Sequence, residues 1–446
     1  MAALPEDKIE IVRALVEQAP DPVVGRLQAA LAEAGGDDAL ASVRQLVDLE
    51  ADDRRVRNSV LAPIVPMCVG DGRASDRLQF PKQVLGLIWR GLKQAAPEEV
   101  IDARGILHEL VGCEQSRDAF DRLTRVAAAA LRDREGGDFV AAAEAADAAR
   151  EGGARLLASC LELAPVVRLA CQRLPEWITR MGRDETAQAR VSFKDAVAVR
   201  SDGGPLFFEM LSAQLAHPSH VLRVISGVMD KPDEHYFAAS ESAVFALRLM
   251  DEIDEGLTRL AGFDAEGSRE AGREAARAVE RITAQVCEIE GAIRLDRDGG
   301  WGRRIAHQRS LLAEAVESRL KALERAIAAA LPMRQERVAG RLKPVPRVDR
   351  APDPVAVGKA MGLLQFVSDI RGCAAAGGFA SSRGKTLETL AEAVDDYVEN
   401  LLDRLRHGEA DSEGGARAYL DVAADFSGLI HDPRAAQVVR RRASAC

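Results

Sequence analysis

Apolar residues recur at helical spacing along two consecutive stretches, and this repeat constrains the fold more than any other feature. Between Ala275 and Ile293 the apolar positions lie 4, 3, 4, 3 and 4 residues apart. Between Leu312 and Ile327 the spacings are 4, 4, 3 and 4. The glycine-rich segment 298–302 separates the two stretches. The pattern predicts two helices of roughly 30 residues, each about 45 Å long, joined as an antiparallel coiled-coil-like hairpin over about 265–332.

The remainder of the chain also favours helices. Aromatic residues make up only 4% of the 446 residues. The core must therefore be aliphatic and rich in alanine, the strongest helix former. Proline and glycine pairs, such as Gly35-Gly36, divide the chain into successive helical stretches. We predict an all-α protein that consists of a multi-helix array, the long helical hairpin and a C-terminal helical segment.

Composition and proline content predict four segments. A chain of this length suggests two or three domains. We expect an N-terminal helical domain over 1–183 and a central helical region with the hairpin over 184–333. Prolines and arginines then concentrate in 334–354, which predicts an extended linker. A C-terminal helical segment over 355–446 follows.

Charge and cysteine usage favour a cytoplasmic protein. The seven cysteines are widely spaced and include no C-x-x-C pair, as expected for reduced thiols. The N-terminus lacks the pattern of a signal peptide, and no apolar run is long enough to span a membrane. The net charge of −10 makes nucleic acid an unexpected partner. The excess of arginine and alanine suggests a bacterial source.

Residues 378–386 resemble a phosphate-binding P-loop but depart from it at a defining position. Five residues separate Gly378 from Gly384, where the P-loop has four. The segment before it also favours a helix, whereas a P-loop follows a strand. The remaining prediction is a weak anion site at a helix N-terminus, formed by Arg383, Lys385 and Thr386.

Two acidic runs resemble the aspartate-rich metal motifs of isoprenoid synthases. One contains Asp395, Asp396 and Glu399, and the other contains Asp251 and Asp254. Their order departs from that family, and the low aromatic content argues against a pocket for carbocations. A shared metal or phosphate site requires the two runs to converge within about 10 Å on one pocket. The structural interpretation is a pair of solvated helix faces.

Other catalytic and metal patterns are incomplete. His217, His220 and His235 offer three imidazoles but no further ligand that closes a tetrahedral site. The pair His431-Asp432 lies too near the C-terminus for the downstream ligands of a phosphohydrolase. No Gly-x-Ser-x-Gly nucleophile elbow occurs. The sequence therefore predicts neither a catalytic residue nor a cofactor.

Two basic segments are candidates for protein binding. Tryptophan and arginine are the residue types most enriched in interface hot spots. The predicted hairpin tip carries Trp301, Arg303 and Arg304, and the predicted linker carries Arg337, Arg341, Lys343 and Arg347. The alternative for Trp301 is a ring that folds back over the hairpin end. If the tip is a binding site, replacing Trp301 by Ala leaves the fold intact and weakens partner binding.

The leading hypothesis is a non-enzymatic helical scaffold, adaptor or regulator that binds other proteins, with self-association as one option. The alternative is an all-α enzyme or small-ligand protein with an acidic metal or phosphate site. A third hypothesis is nucleic-acid binding through the arginine-rich segments, which would weaken as salt rises.

Overall fold

The computed structural model describes residues 6–33, 38–71, 76–108, 114–263, 268–338 and 341–446. Over these residues it contains nineteen α-helices, two short 3₁₀ helices and one two-stranded sheet. The predicted all-α, multi-helix class is confirmed. No described helix combines the length and apolar character that a bilayer span requires.

The chain divides into two compact units between Asp230 and Lys231. The helices of the first unit are α1 Glu6–Gln18, α2 Asp21–Glu33, α3 Asp38–Val60, α4 Gln83–Ala95, α5 Pro97–His108, α6 Glu114–Asp133, α7 Gly137–Ala149, α8 Gly153–Thr179, α9 Arg183–Val199, α10 Gly203–Ala213 and α11 Val221–Val228. The elements of the second unit are α12 Glu234–Ala238, α13 Ala243–Ala261, α14 Arg269–Ala292, α15 Gly300–Ala330, β1 Met333–Val338, β2 Arg341–Pro346, α16 Pro354–Asp369, α17 Ala380–Arg406, α18 Glu413–Ile430 and α19 Pro433–Ser444.

The first unit is built around α8, which packs against α6, α7, α9 and α10. Leu157, Leu161 and Val167 of this helix are fully buried. Because α9 and α10 pack on α8, residues 184–230 belong with the N-terminal helices. This division differs from the predicted boundary between residues 183 and 184, because the break at Gly182 separates α8 from α9 without ending the packed core.

In the second unit, α14 and α15 are the two long helices that the apolar repeat predicts. The buried stripe of α14 includes Val279, Ile282 and Ile289. The two helices make few contacts with each other and pack mainly on α13 and α16. The coiled-coil-like pairing is therefore not what buries the stripe. A 3-and-4 repeat marks one buried helix face, but it does not specify which helix covers that face.

The central helix of the second unit is α16, in which every residue from Ala360 to Val367 is buried. A helix that is buried on all sides belongs to a core. It contacts α14, α15 and α18, so the predicted central region and C-terminal segment share one core. The predicted linker, 334–354, contains most of the β1–β2 hairpin, and β2 packs on α17.

Arginine side chains bind main-chain carbonyls that helix C-termini leave open. In the first unit, Arg54 donates to two carbonyls at the end of α1. The Val16 carbonyl, at 2.9 Å, lies in the last turn of the helix, and the Ala19 carbonyl, at 2.7 Å, directly follows it. Arg168 donates to the Ser59 and Val60 carbonyls, at the end of α3, at 2.9 and 2.7 Å. The same arrangement recurs at the ends of α8, α13 and α16, with Arg223, Arg319 and Arg383 as donors.

Candidate interaction surfaces

The N-terminus of α15, which is the predicted hairpin tip, binds a buried carboxylate from α12. Glu234 is only 9% exposed. One carboxylate oxygen accepts the Trp301 N–H at 2.8 Å, and the other accepts those of Gly302 at 3.2 Å and Asp296 at 3.0 Å. Open N–H groups and the helix dipole both favour a negative charge here. The tip is therefore anchored to α12 by Glu234.

The Trp301 side chain also packs onto α12. Its ring lies 6.0 Å from the Phe237 ring, centroid to centroid, in an edge-on orientation. Phe237 is fully buried, whereas Trp301 is half-buried. This position matches the alternative in which the tryptophan folds back over the helix end, and it leaves only part of the ring open to solvent.

Arg304 is held by the acidic run on α13, and Arg303 is exposed. The Arg304 guanidinium lies 2.5 Å from carboxylate oxygens of both Asp251 and Asp254. Burial opposes the charge on Arg304, but hydrogen bonds to the two carboxylates outweigh this effect and raise its pKa. Gln308 also donates to Asp254 at 2.7 Å. These groups together join α13 to α15.

The second acidic run binds the C-terminal helices instead. Both oxygens of Glu399 accept hydrogen bonds from the Arg442 guanidinium, at 2.5 and 2.6 Å, and these bonds lower the pKa of Glu399. Asp395 lies 3.8 Å from a ring nitrogen of His431, and Asp396 is exposed. Across the described residues, no three His, Cys, Asp or Glu side chains are arranged to hold a metal ion.

The residues of the predicted anion site lie within the first two turns of α17, which begins earlier than predicted, at Ala380. The Arg383 side chain turns toward the end of α16 and donates to the Val367 carbonyl at 2.7 Å, while burial lowers its pKa. Thr386 is buried, and Lys385 is exposed. The structure does not bring the three side chains to a common point.

The basic residues of the predicted linker lie on or next to the β1–β2 hairpin. Arg337 and Lys343 are exposed. Arg347 forms an ion pair with Asp349, with the nitrogen 2.9 Å from the oxygen. Arg341 pairs with Val338 in the strand register, and its side chain lies outside the described residues. Arg337 lies opposite Leu342 and Lys343 opposite Glu336, so these two side chains project from opposite faces of the hairpin.

A cleft of about 530 Å³ lies between α13 and α14. Its volume lies within the usual range for ligand-binding sites. The floor is formed by small or apolar residues, and the rim carries both signs of charge. The floor residues are Gly256, Leu260, Phe263, Ala275, Ala278 and Ile282, and the polar rim residues are Glu252, Arg259, Glu274, Arg281 and Gln285.

Sequence reasoning missed this cleft, although the sequence contains a partial signal for it. Gly256 and Ala275 are small buried residues of α13 and α14 that line the cleft. The polar end of the cleft is closed by Gln285, which donates to Glu252 at 2.9 Å. The small residues are visible in the sequence, but the fact that they line one cleft is not.

A smaller cleft, of about 430 Å³, lies between α4, α6 and α7 in the first unit. Its floor contains Ala95, Val126 and Phe139. Asp138 on its rim already accepts hydrogen bonds from Arg90 at 3.0 Å and Gln94 at 3.3 Å.

Comparison with models of protein families, with curated proteins and with solved structures gave no match.

Proposed function

We propose that this chain is a non-enzymatic helical scaffold or adaptor that binds other proteins, and that the cleft between α13 and α14 receives a helical segment of a partner. The observation that supports this proposal is the cleft of about 530 Å³ with an apolar floor and a charged rim. An amphipathic helix that lays its apolar face into such a groove is a common mode of recognition.

The dimensions of the cleft support a helical occupant. Its lining on α13 runs from Glu252 to Leu260, which corresponds to about 12 Å, or just over two turns, of helix, and Phe263 extends it past the helix end. The rim offers carboxylates as well as the guanidinium groups of Arg259 and Arg281. Both signs of charge can select a partner with a complementary pattern at its polar edges.

The acidic-site alternative needs carboxylates that share a pocket. In the structure, Asp251 and Asp254 bind Arg304, while Glu399 binds Arg442. These ion pairs join neighbouring helices and leave this alternative without a supporting observation.

We also propose a reducing, cytoplasmic setting in a bacterial cell. The thiols support the first part: Cys68 and Cys160 are buried and unpaired. Burial raises the pKa of Cys68 to about 12 and that of Cys171 to about 11. Such thiols stay protonated and behave as small apolar side chains. The bacterial source rests on the excess of arginine and alanine.

Filling the cleft tests the proposal. Ala278 lines the cleft, whereas Ala284 of the same helix is exposed and does not line it. We expect Ala278→Trp to abolish partner capture from native cells, and Ala284→Trp to retain it. Circular dichroism and thermal unfolding check that both variants are folded. Equal capture by the wild type and the folded Ala278→Trp variant would contradict the proposed site.

A further inference from the structure

The two strands of the hairpin present different outer edges. Strands β1 and β2 are antiparallel, with Gln335 opposite Pro344. Beyond the strands, the Arg347 N–H donates to the Pro332 carbonyl at 2.9 Å. Hydrogen-bonded and non-bonded pairs alternate along an antiparallel ladder. Counting from the bonded pair formed by residues 332 and 347, the pairs at 333–346, 335–344 and 337–342 are non-bonded, and their main-chain groups point outward.

Proline blocks the outer edge of β2. Two of its three outward positions are Pro344 and Pro346, which have no N–H to donate. This placement also explains how a strand with two prolines keeps its ladder to β1. Proline at an edge is a known means of preventing further strand pairing.

The outer edge of β1 remains open. Its outward positions are Met333, Gln335 and Arg337, each with an N–H and a carbonyl. Within the described part of the chain, no hydrogen bond to these main-chain groups is present. Met333 is 43% exposed, and the other two side chains are exposed as well. The strand can therefore accept another strand alongside it.

We propose that the occupant of this edge is β1 of a second copy of the chain, paired antiparallel about Gln335. In this register Gln335 faces its own counterpart, and Met333 faces Arg337 of the second copy. All outward N–H and carbonyl groups then find partners, which gives six main-chain hydrogen bonds by the antiparallel rule. The two hairpins join into one four-stranded sheet with the two-fold symmetry typical of homodimers.

The charges of β1 are complementary in this pairing. Arg334 and Glu336 already form ion pairs with each other and with Asp411 and Arg404 of the same chain, and the second copy would extend this cluster. In the same register Arg334 lies opposite Glu336 of the second copy, and Glu336 lies opposite its Arg334. Opposite charges directly across a strand pair stabilise it, and like charges destabilise it. The neighbouring registers that pair outward groups differ by two residues, and they place either Arg334 opposite Arg334 or Glu336 opposite Glu336, so the charges disfavour them.

Exposed apolar side chains support the same pairing. Leu342 is 68% exposed and lies opposite Arg337 within the hairpin. In the four-stranded sheet, four side chains lie next to one another across one face. They are Leu342 and Arg337 of one copy, followed by Met333 and Pro346 of the second copy. The apolar stem of Arg337 would thus lie between two apolar side chains that are exposed in the single chain. This inference concerns a surface remote in sequence from the α13–α14 cleft and does not depend on it.

Sedimentation analysis of the full chain over a concentration series up to about 1 mM tests the pairing. We expect the 48.0 kDa chain to associate reversibly into dimers. Gln335→Pro removes one outward N–H per copy without removing a bond within the hairpin, and should weaken dimerisation roughly tenfold or more. Gln335→Ala shortens the same side chain but keeps the outward N–H, and should leave dimerisation within about threefold of the wild type.

A charge-exchange pair tests the register. Arg334→Glu and Glu336→Arg should each weaken self-association, because like charges then face each other. Each variant also loses an ion pair within the chain, to Asp411 or to Arg404, so circular dichroism checks that both are folded. Mixed together, the two variants should form a heterodimer in which both cross-strand pairs are opposite in sign. A chain that stays monomeric throughout the series overturns the proposal, whatever else the edge binds. Dimerisation that is as strong in Gln335→Pro as in the wild type overturns it as well, and so does a mixture that forms no heterodimer.

Discussion

At the scale of single residues, arginine has a structural role that its abundance did not reveal. Only nine of the 60 basic residues are lysine. A guanidinium carries five N–H donors in a planar fork, so one side chain can bind several carbonyls at a helix end. Arg54 and Arg168 do this in the first unit, and Arg383 does it in the second. Arg383, which the sequence assigned to an anion site, is thus committed to a main-chain carbonyl.

Glu234 is the clearest example of a single residue that organises an element. Replacing it by Gln removes the negative charge and places an amide donor against the N–H groups of Trp301 and Gly302. We expect a loss of about 2–3 kcal/mol in the free energy of unfolding, measured in urea. The exposed Glu255→Gln should change it by less than about 0.5 kcal/mol. An equally small effect at Glu234 would show that the carboxylate does not anchor α15.

The lowered pKa of Asp21 predicts a pH-dependent contribution to the stability of the first unit. Burial acts to raise its pKa, but the guanidinium groups of Arg57 and Arg54 outweigh burial and hold the pKa below its usual value. A lowered pKa in the folded state stabilises the protein above the unfolded-state pKa, and this stability is lost as pH falls through the folded-state pKa.

The variant Asp21→Asn should therefore be less stable than the wild type at pH 7. The difference should shrink as pH falls below the usual range for a carboxyl group, near 4. Urea unfolding at a series of pH values measures this difference. A gap that stays constant down to pH 3 would show that the ion pairs with Arg54 and Arg57 contribute nothing through the charge of Asp21.

At the scale of elements, close helix packing depends on glycine at a specific place. A Cβ added at Gly272 of α14 would overlap the Gly362 carbonyl oxygen of α16, whereas one added at Gly291 would meet no atom within 4 Å. Gly272→Ala should cost about 2–3 kcal/mol, because the two backbones must separate. Gly291→Ala should be neutral or stabilising by up to about 1 kcal/mol. Thermal unfolding of both variants checks the contrast, and equal effects would contradict the close approach.

The long helices α14 and α15 and the segment 334–354 show how much of the secondary structure the sequence predicts. The apolar repeat placed α14 and α15 correctly, because burial of one face imposes a 3-and-4 spacing whatever lies opposite. It did not reveal that α16 covers much of the buried face of each of these helices, while α14 and α15 make few contacts with each other. Prolines correctly excluded a continuous helix over 334–354. They did not reveal a hairpin, because Pro344 and Pro346 are compatible with a strand only at outward positions, which depend on register.

At the scale of the whole molecule, the two compact units meet in sequence at Asp230 and Lys231. Each unit has its own buried core, with α8 at the centre of the first and α16 at the centre of the second. A unit with its own core can fold by itself.

We therefore expect the fragments 1–230 and 231–446 to fold independently when expressed separately. Their circular dichroism spectra should add up to that of the full chain, and each should unfold cooperatively. Dividing the second unit at the predicted linker should behave differently, because the fragment 231–340 lacks α16 and loses the core of that unit. Cooperative unfolding of that shorter fragment would contradict the assignment of α16 to the core.

The sequence by itself determined the all-α class, the long helices and the interruption at 334–354, because helix propensity, apolar spacing and proline act over a few neighbouring residues. It also contained the candidate residues, but not their partners. The tertiary structure alone decided that Glu234 binds the start of α15, 67 residues away from Trp301, and that Arg304 joins α13. It alone created the α13–α14 cleft and the open edge of β1. Such features arise from contacts between residues distant in the chain, and a periodic pattern encodes which face is buried but not what covers it.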